Sequence, residues 1–316
     1  MPNTSNNSHE QTSAPAIRAY LGGSFDPVHN GHLEVAIHVY QDLLPIAKQQ
    51  NCPLHVSLLP NARSPFKAQS TDPAHRLAML QLATQDTPIQ INELELWQAP
   101  PVYTIDSVRA LRQQYPHDCL IFIMGMDSAR SLDKWKDGLQ LTDYVNLWVF
   151  NREDSDHIND GVSDNATSFE NPIAASQYLA TLQTQLPRLL QPHVTNSPIE
   201  LLTPIARCLV DSTEDDSSKT NSLDINSTDL KSAMKGRIYI DTRPITAVSS
   251  TQIREQLQIL GNKTNKMPVT ERQIASIAPI NDIMSNTHPN SLAKWLNPAV
   301  YHYIIAHQLY SAAQFR

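Results

Sequence analysis

At 316 residues, 41% of them hydrophobic, the chain can bury a substantial core, yet no segment approaches the ~18 uninterrupted apolar residues of a membrane span. Its net charge is −7 and it has no basic stripe with interleaved aromatics, which argues against a nucleic-acid footprint. Three widely separated cysteines (Cys52, Cys119, Cys208) show no metal-ligand spacing and point to free thiols in a reducing compartment.

Residues 1–16 are polar and rich in Asn, Ser and Thr, with no apolar signal core, and are expected to form a disordered extension on a cytoplasmic protein. Ile17 to Leu21 is an apolar run that predicts a strand, leading into Gly22-Gly23-Ser24-Phe25-Asp26-Pro27-Val28-His29-Asn30-Gly31-His32. Beyond it Leu33, Ala36, Ile37, Tyr40 and Leu44 recur at helical spacing, a stripe expected to face inward. Such a strand–loop–helix passage gathers backbone N–H groups and the positive end of a helix, which suits phosphate, and His29 and His32 add donors. By themselves these residues equally describe a glycine-rich turn with two surface histidines.

Leu54 to Leu59 predicts a second strand ending at Pro60, and Arg76 to Thr84 a helix with Leu77, Leu80 and Ala83 on one side. Glu93 to Leu96 alternates like a strand, broken by Pro100-Pro101. Thr104 starts a helix through Gln114 with Ile105, Val108 and Leu111 inward. Leu120 to Met124 and Val145 to Phe150 are continuous apolar runs, as in parallel strands covered on both faces. This alternation predicts an α/β fold, a Rossmann-like doubly wound parallel sheet. Ligands of such sheets bind outside the carboxyl ends of the strands, where Gly22–His32, Asn61–Lys67, Gly125–Asp127 and Asn151–Arg152 fall.

From Glu153 to Lys235 the chain holds 13 Asp/Glu against 5 Lys/Arg, so this segment carries −8 and the remainder is close to neutral. Within it Tyr178, Leu182, Leu186 and Leu189 keep helical spacing, Ile199 to Val210 is apolar, and Asp211 to Asp229 is expected to be a disordered loop. Arg237 to Ile240 predicts a strand. Ile245 to Arg254 then opens a helix on Ser249, Ser250 and Thr251, three hydroxyls that serve as plain caps or as a second polyphosphate cradle with Arg254. A polar interruption follows from Gly261 to about Asn290, and a last helix from Pro298 to Tyr310 places Val300, Ile304 and His307 on one face. The expected organisation is one α/β domain over residues 17–316, with polar insertions at about 153–235 and 261–290.

The combination of Gly22 to His32, Pro101-Val102-Tyr103-Thr104, Phe122 to Ser128, Lys134-Trp135, Arg152 and Ser249-Ser250-Thr251-Gln252-Ile253-Arg254 resembles the bacterial nicotinate-nucleotide adenylyltransferases. These belong to the nucleotidyltransferase superfamily with a His/Thr-x-Gly-His signature. The resemblance implies transfer of the adenylyl group of ATP to nicotinate mononucleotide, giving nicotinate adenine dinucleotide and pyrophosphate, with Mg2+ carried by ATP and no protein metal ligand. It implies His32, His29 and Arg254 as catalytic residues, and Gly22, Gly23, Ser24, Phe25, His29, His32, Ser249, Ser250, Thr251 and Arg254 on the ATP side. Tyr103, Thr104, Asp127, Trp135 and Arg152 would meet nicotinate mononucleotide, although read alone Thr104 is a cap, Asp127 a turn residue, Trp135 core and Arg152 a surface cation. Where the family commonly has Pro-Pro-His-Arg or Pro-Pro-His-Lys, this chain has Ser64-Pro65-Phe66-Lys67, so a phosphate role passes to Lys67 and not to Phe66. Competing readings are an adenylyltransferase for nicotinamide mononucleotide or phosphopantetheine, and a non-catalytic nucleotide sensor; oligomeric state is open.

Overall fold

A computed structural model describes residues 15–62, 70–151, 172–202, 235–243, 245–246, 248–265 and 292–310. Seven parallel strands form one sheet: β1 (Ile17–Gly23), β2 (Leu54–Pro60), β3 (Gln90–Ile91), β4 (Cys119–Gly125), β5 (Asn146–Phe150), β6 (Val194–Thr195) and β7 (Ile238–Asp241), in the order β3-β2-β1-β4-β5-β7-β6. The order reverses between β1 and β4, so the loops leaving Gly23 and Gly125 flank the switch point at the carboxyl edge.

The helices are α1 (Asn30–Gln50), α2 (Pro73–Thr84), α3 (Thr104–Gln114), the short α4 (Met126–Ala129), α5 (Pro172–Gln185), α6 (Ser250–Asn265) and α7 (Pro298–Ala306). Successive strand side chains leave on opposite faces, which explains the unbroken apolar runs. Ile121 and Ile123 pack with Val35, Val39 and Leu43 of α1 and Val300 and Ile304 of α7, while Leu120, Phe122 and Met124 pack with Ile105, Val108 and Leu111 of α3. Among the described residues no helix is long and apolar enough to cross a membrane.

Several expected elements shift. Glu93 to Leu96 is a turn and not a strand: Leu94 N–H donates to Asn92 Oδ1, Leu96 N–H donates to Glu93 O, and Glu95 and Leu96 are buried side by side. The inward face of α1 is Val35, Ala36, Val39, Leu43 and Ala47; of the expected stripe Ala36 alone is fully buried, with Leu33, Ile37 and Tyr40 at the flank. Helix α2 begins three residues before Arg76, because Asp72 Oδ1 caps the Ala74 N–H at 2.8 Å and Pro73 sits in the first turn. Leu189 is 71% exposed and Leu190 takes the inward place. His307 lies past the end of α7 and is exposed. Helix α6 continues through Gly261 to Asn265, and the 153–235 stretch contributes both α5 and the edge strand β6. Residues 1–14 of the expected extension, the expected disordered loop and residues 266–290 of the second insertion lie outside the described residues, while Ala16, placed in the extension, is buried and its N–H donates to Asp118 Oδ1 at 3.0 Å.

Candidate active site

The loop after β1 is shaped by its own aromatic ring. Phe25 adopts a left-handed φ of 48° and is fully buried, its ring lying against Gly23 and 4.9 Å from the His32 ring, edge to face. Its side chain packs inside the loop. His29 precedes α1 and is 3% exposed; its ring stacks on His32 with centroids 3.6 Å apart. The His29 N–H donates to His32 Nδ1 at 3.2 Å, and since a main-chain N–H only donates, the proton of the neutral His32 ring sits on Nε2. The half-buried His32 thus carries its proton on the distal nitrogen, with the buried His29 ring stacked against it. Two N–H groups at this mouth are already engaged, His29 on His32 and Asn30 on Trp295 O at 2.7 Å.

The late Ser/Thr stretch lies on the same corner. Arg254 donates from Nη1 to Asp26 O at 2.6 Å and from Nη2 to Thr251 Oγ1 at 3.1 Å, and Ser250 Oγ donates to Pro27 O at 2.9 Å. Thr246 N–H donates to Glu34 Oε2 at 3.0 Å, and a methyl on Gly31 would stand 3.1 Å from Thr246 O, so this glycine lets the two stretches touch. The three hydroxyls have different partners. Ser249 is a capping residue in reciprocal contact with Gln252, its N–H donating to Oε1 at 2.9 Å and its Oγ accepting the Gln252 N–H at 3.2 Å. Ser250 ties α6 to the loop, and Thr251, exposed, orients Arg254.

Behind the loop lies a buried polar junction that the sequence reading missed. Asp26, 4% exposed, accepts from the Thr71 N–H on Oδ2 at 3.1 Å and from the Tyr310 hydroxyl on Oδ1 at 2.6 Å. Arg76, fully buried on α2, donates to Thr71 O at 3.2 Å, Ser24 O at 2.9 Å and Ala62 O at 2.5 Å, joining the loops after β1 and β2. Burial pulls the Arg76 guanidinium below its ordinary pKa, opposed by the charge of Asp26, and burial together with Asp26 holds the Tyr310 phenol well above its own. The available signal was a charged residue sharing a helical face with Met79, Leu80 and Ala83.

Across the switch point, Tyr103 caps α3 through its carbonyl and Thr104 is the first helical residue rather than the cap. Lys136, which the sequence reading did not select, holds its ammonium 4.5 Å over the Tyr103 ring and 2.9 Å from Asp106 Oδ2, drawing the Trp135 segment onto the start of α3. Trp135 is half-buried against the same cluster as Tyr103, and Asp127 is exposed in the first turn after β4. Lys67, Phe66 and Arg152 lie outside the described residues.

Beside Gly22 the space is filled from within the core: a methyl there would stand 2.6 Å from Phe122 Cζ, because the buried Phe122 ring lies against it. Gly22→Ala is therefore expected to cost about 1–3 kcal/mol through overpacking, and Phe122→Leu in the same chain to restore most of it. Paired melting curves check this, and simply additive losses would contradict it.

A family model described as cytidylyltransferase-like matches residues 20–256. A protein of Idiomarina loihiensis named "Probable nicotinate-nucleotide adenylyltransferase" is 31% identical over 244 residues, 77% of this chain and 88% of that one. One of the same name from Aeromonas salmonicida is 41% identical over 130 residues, 41% of this chain and 58% of that one. Among solved structures, Plasmodium falciparum nicotinic acid mononucleotide adenylyltransferase complexed with NaAD shares the fold, with a TM-score of 0.51 and 13% identity across 93% of this chain and 97% of that one.

Proposed function

The chain belongs to the cytidylyltransferase-like family, and from that premise we infer that it is a nicotinate-nucleotide adenylyltransferase of NAD biosynthesis, joining ATP and nicotinate mononucleotide into nicotinate adenine dinucleotide with release of pyrophosphate. The observation that carries this reading is the meeting of Arg254 with the His29–His32 corner, through Asp26 O, beside the β1–β4 switch point. In the reaction an oxygen of the mononucleotide 5′-phosphate attacks the α-phosphorus of ATP. The bond from that phosphorus to the α,β-bridging oxygen breaks, and pyrophosphate leaves with the electron pair. No protein nucleophile is needed; the work is alignment of two anions and neutralisation of charge on the α- and β-phosphates. The Nε2–H of His32 and the guanidinium of Arg254 are the donors assigned to that charge, with Lys67, Ser24 and the backbone at Gly22 and Gly23 alongside.

The donors at the corner are imidazole, guanidinium, hydroxyl and N–H groups, and both Asp26 carboxylate oxygens are taken by Thr71 and Tyr310. That set fits an anion, so magnesium enters as part of the ATP complex, held by phosphate oxygens and water. On the acceptor side Tyr103, Thr104, Asp127, Trp135 and Arg152 are assigned to the mononucleotide. Cys52 and Cys119 are free thiols, in keeping with a cytoplasmic enzyme.

Steady-state pyrophosphate release with each mononucleotide tests the assignment. We expect kcat/KM to favour nicotinate over nicotinamide mononucleotide by about 10-fold or more, the worth of one charge-assisted hydrogen bond. Preference for the amide would move the assignment to that acceptor, and no release with either would overturn it.

A further inference from the structure

Asp26 receives donors from three separate segments of the chain. Its main-chain carbonyl receives Arg254 Nη1 at 2.6 Å, its carboxylate receives the Tyr310 hydroxyl at 2.6 Å and the Thr71 N–H at 3.1 Å, and the carbonyl of the next residue, Pro27, receives Ser250 Oγ. The same C-terminal segment touches the corner a second time, where Trp295 O accepts the Asn30 N–H at 2.7 Å. Tyr310 is fully buried and its backbone turns left-handed, φ 61°, so that the ring enters the core beneath the loop.

We propose that Tyr310 is a positioning residue for adenylyl transfer: its hydroxyl fixes Asp26, and Asp26 in turn fixes the carbonyl on which Arg254 is aimed. A buried carboxylate oxygen takes its donor from the phenol in a charge-assisted bond, and no solvent replaces that donor when it is removed. The peptide carrying the carboxylate is the one that orients Arg254, so relaxation at one end is transmitted to the other through a single residue. Displacement of a transition-state donor by about 1 Å costs on the order of 10²-fold in rate. Burial and the neighbouring Asp26 charge both keep the phenol protonated, so that it remains a donor throughout the working pH range.

The proposal rests on the adenylyl-transfer reading and is tested with the full chain as Tyr310→Phe, which removes the hydroxyl and leaves the ring volume. We expect kcat to fall roughly 10- to 100-fold while KM for ATP changes less than about 3-fold. In an Arg254→Lys background the same change should have little further effect, because both act through one guanidinium. Full multiplicative losses in the double variant, a wild-type kcat, or a variant that fails to fold would each overturn the proposal, the last by showing that the hydroxyl serves the fold alone. A wild-type chain that releases no pyrophosphate with either mononucleotide would instead overturn the adenylyl-transfer reading, so the two failures are told apart.

Discussion

Replacing His32 by alanine is expected to lower turnover by about 10²-fold or more while the protein stays folded, in line with loss of one preorganised donor to the charge that develops on the phosphates. The ring is half-buried; it accepts the His29 N–H, stacks on the His29 ring and meets the Phe25 ring edge to face. Losing these contacts costs about 1 kcal/mol, the scale of one helix-start hydrogen bond, which a chain of this size tolerates. His32→Asn separates the two roles, since its side-chain oxygen can still accept the His29 N–H but nothing stands where Nε2–H was. Equal rate losses in the alanine and asparagine variants, with melting restored in the second, would assign the effect to the distal nitrogen. Pyrophosphate release and thermal melting on the same preparations measure both, and wild-type turnover in either variant would remove His32 from the chemistry.

The sequence showed the frame and the two stretches that meet, because each leaves a local signature. The apolar runs of β4 and β5, the Ile105–Val108–Leu111 stripe of α3 and the glycine-rich passage after β1 depend on neighbours in the chain, and all appear where expected. Glu93 to Leu96 had the period of a strand, but the Asn92 side chain accepts the Leu94 N–H and closes a local turn there, a signal that the alternation outweighed. The stripe on α1 was misplaced by a fraction of a turn because nearly every face of that helix carries apolar residues. The bonds that join the site, Arg254 to Asp26 and Tyr310 to Asp26, span 228 and 284 residues, and no local pattern encodes such pairs. The hydroxyls of α6 were legible as a group, yet which of them caps, which docks and which orients an arginine depends on the loop they meet.

Arg76 carries the largest expected effect on stability. Its guanidinium meets three carbonyls on two loops from a position with no exposure, and its charge stands beside that of buried Asp26. Arg76→Met fills a similar volume but leaves those carbonyls without their donor and removes a positive charge from the neighbourhood of buried Asp26. Leaving three buried carbonyls without a charged donor, at about 1–3 kcal/mol each before relaxation, is expected to cost about 3–5 kcal/mol in all, a large part of the ~5–15 kcal/mol by which a domain is stable. Melting is then expected to fall by roughly 6–15 °C. Arg76→Lys keeps the charge but offers a point donor in place of a planar fork, so it should recover less than half of the loss. If the lysine variant melts with wild type, charge alone accounts for Arg76; if the methionine variant does, the three carbonyls find other donors and the two loops are held by something else. The intermediate result is the one this geometry requires, because only a fork reaches Ser24, Ala62 and Thr71 at once.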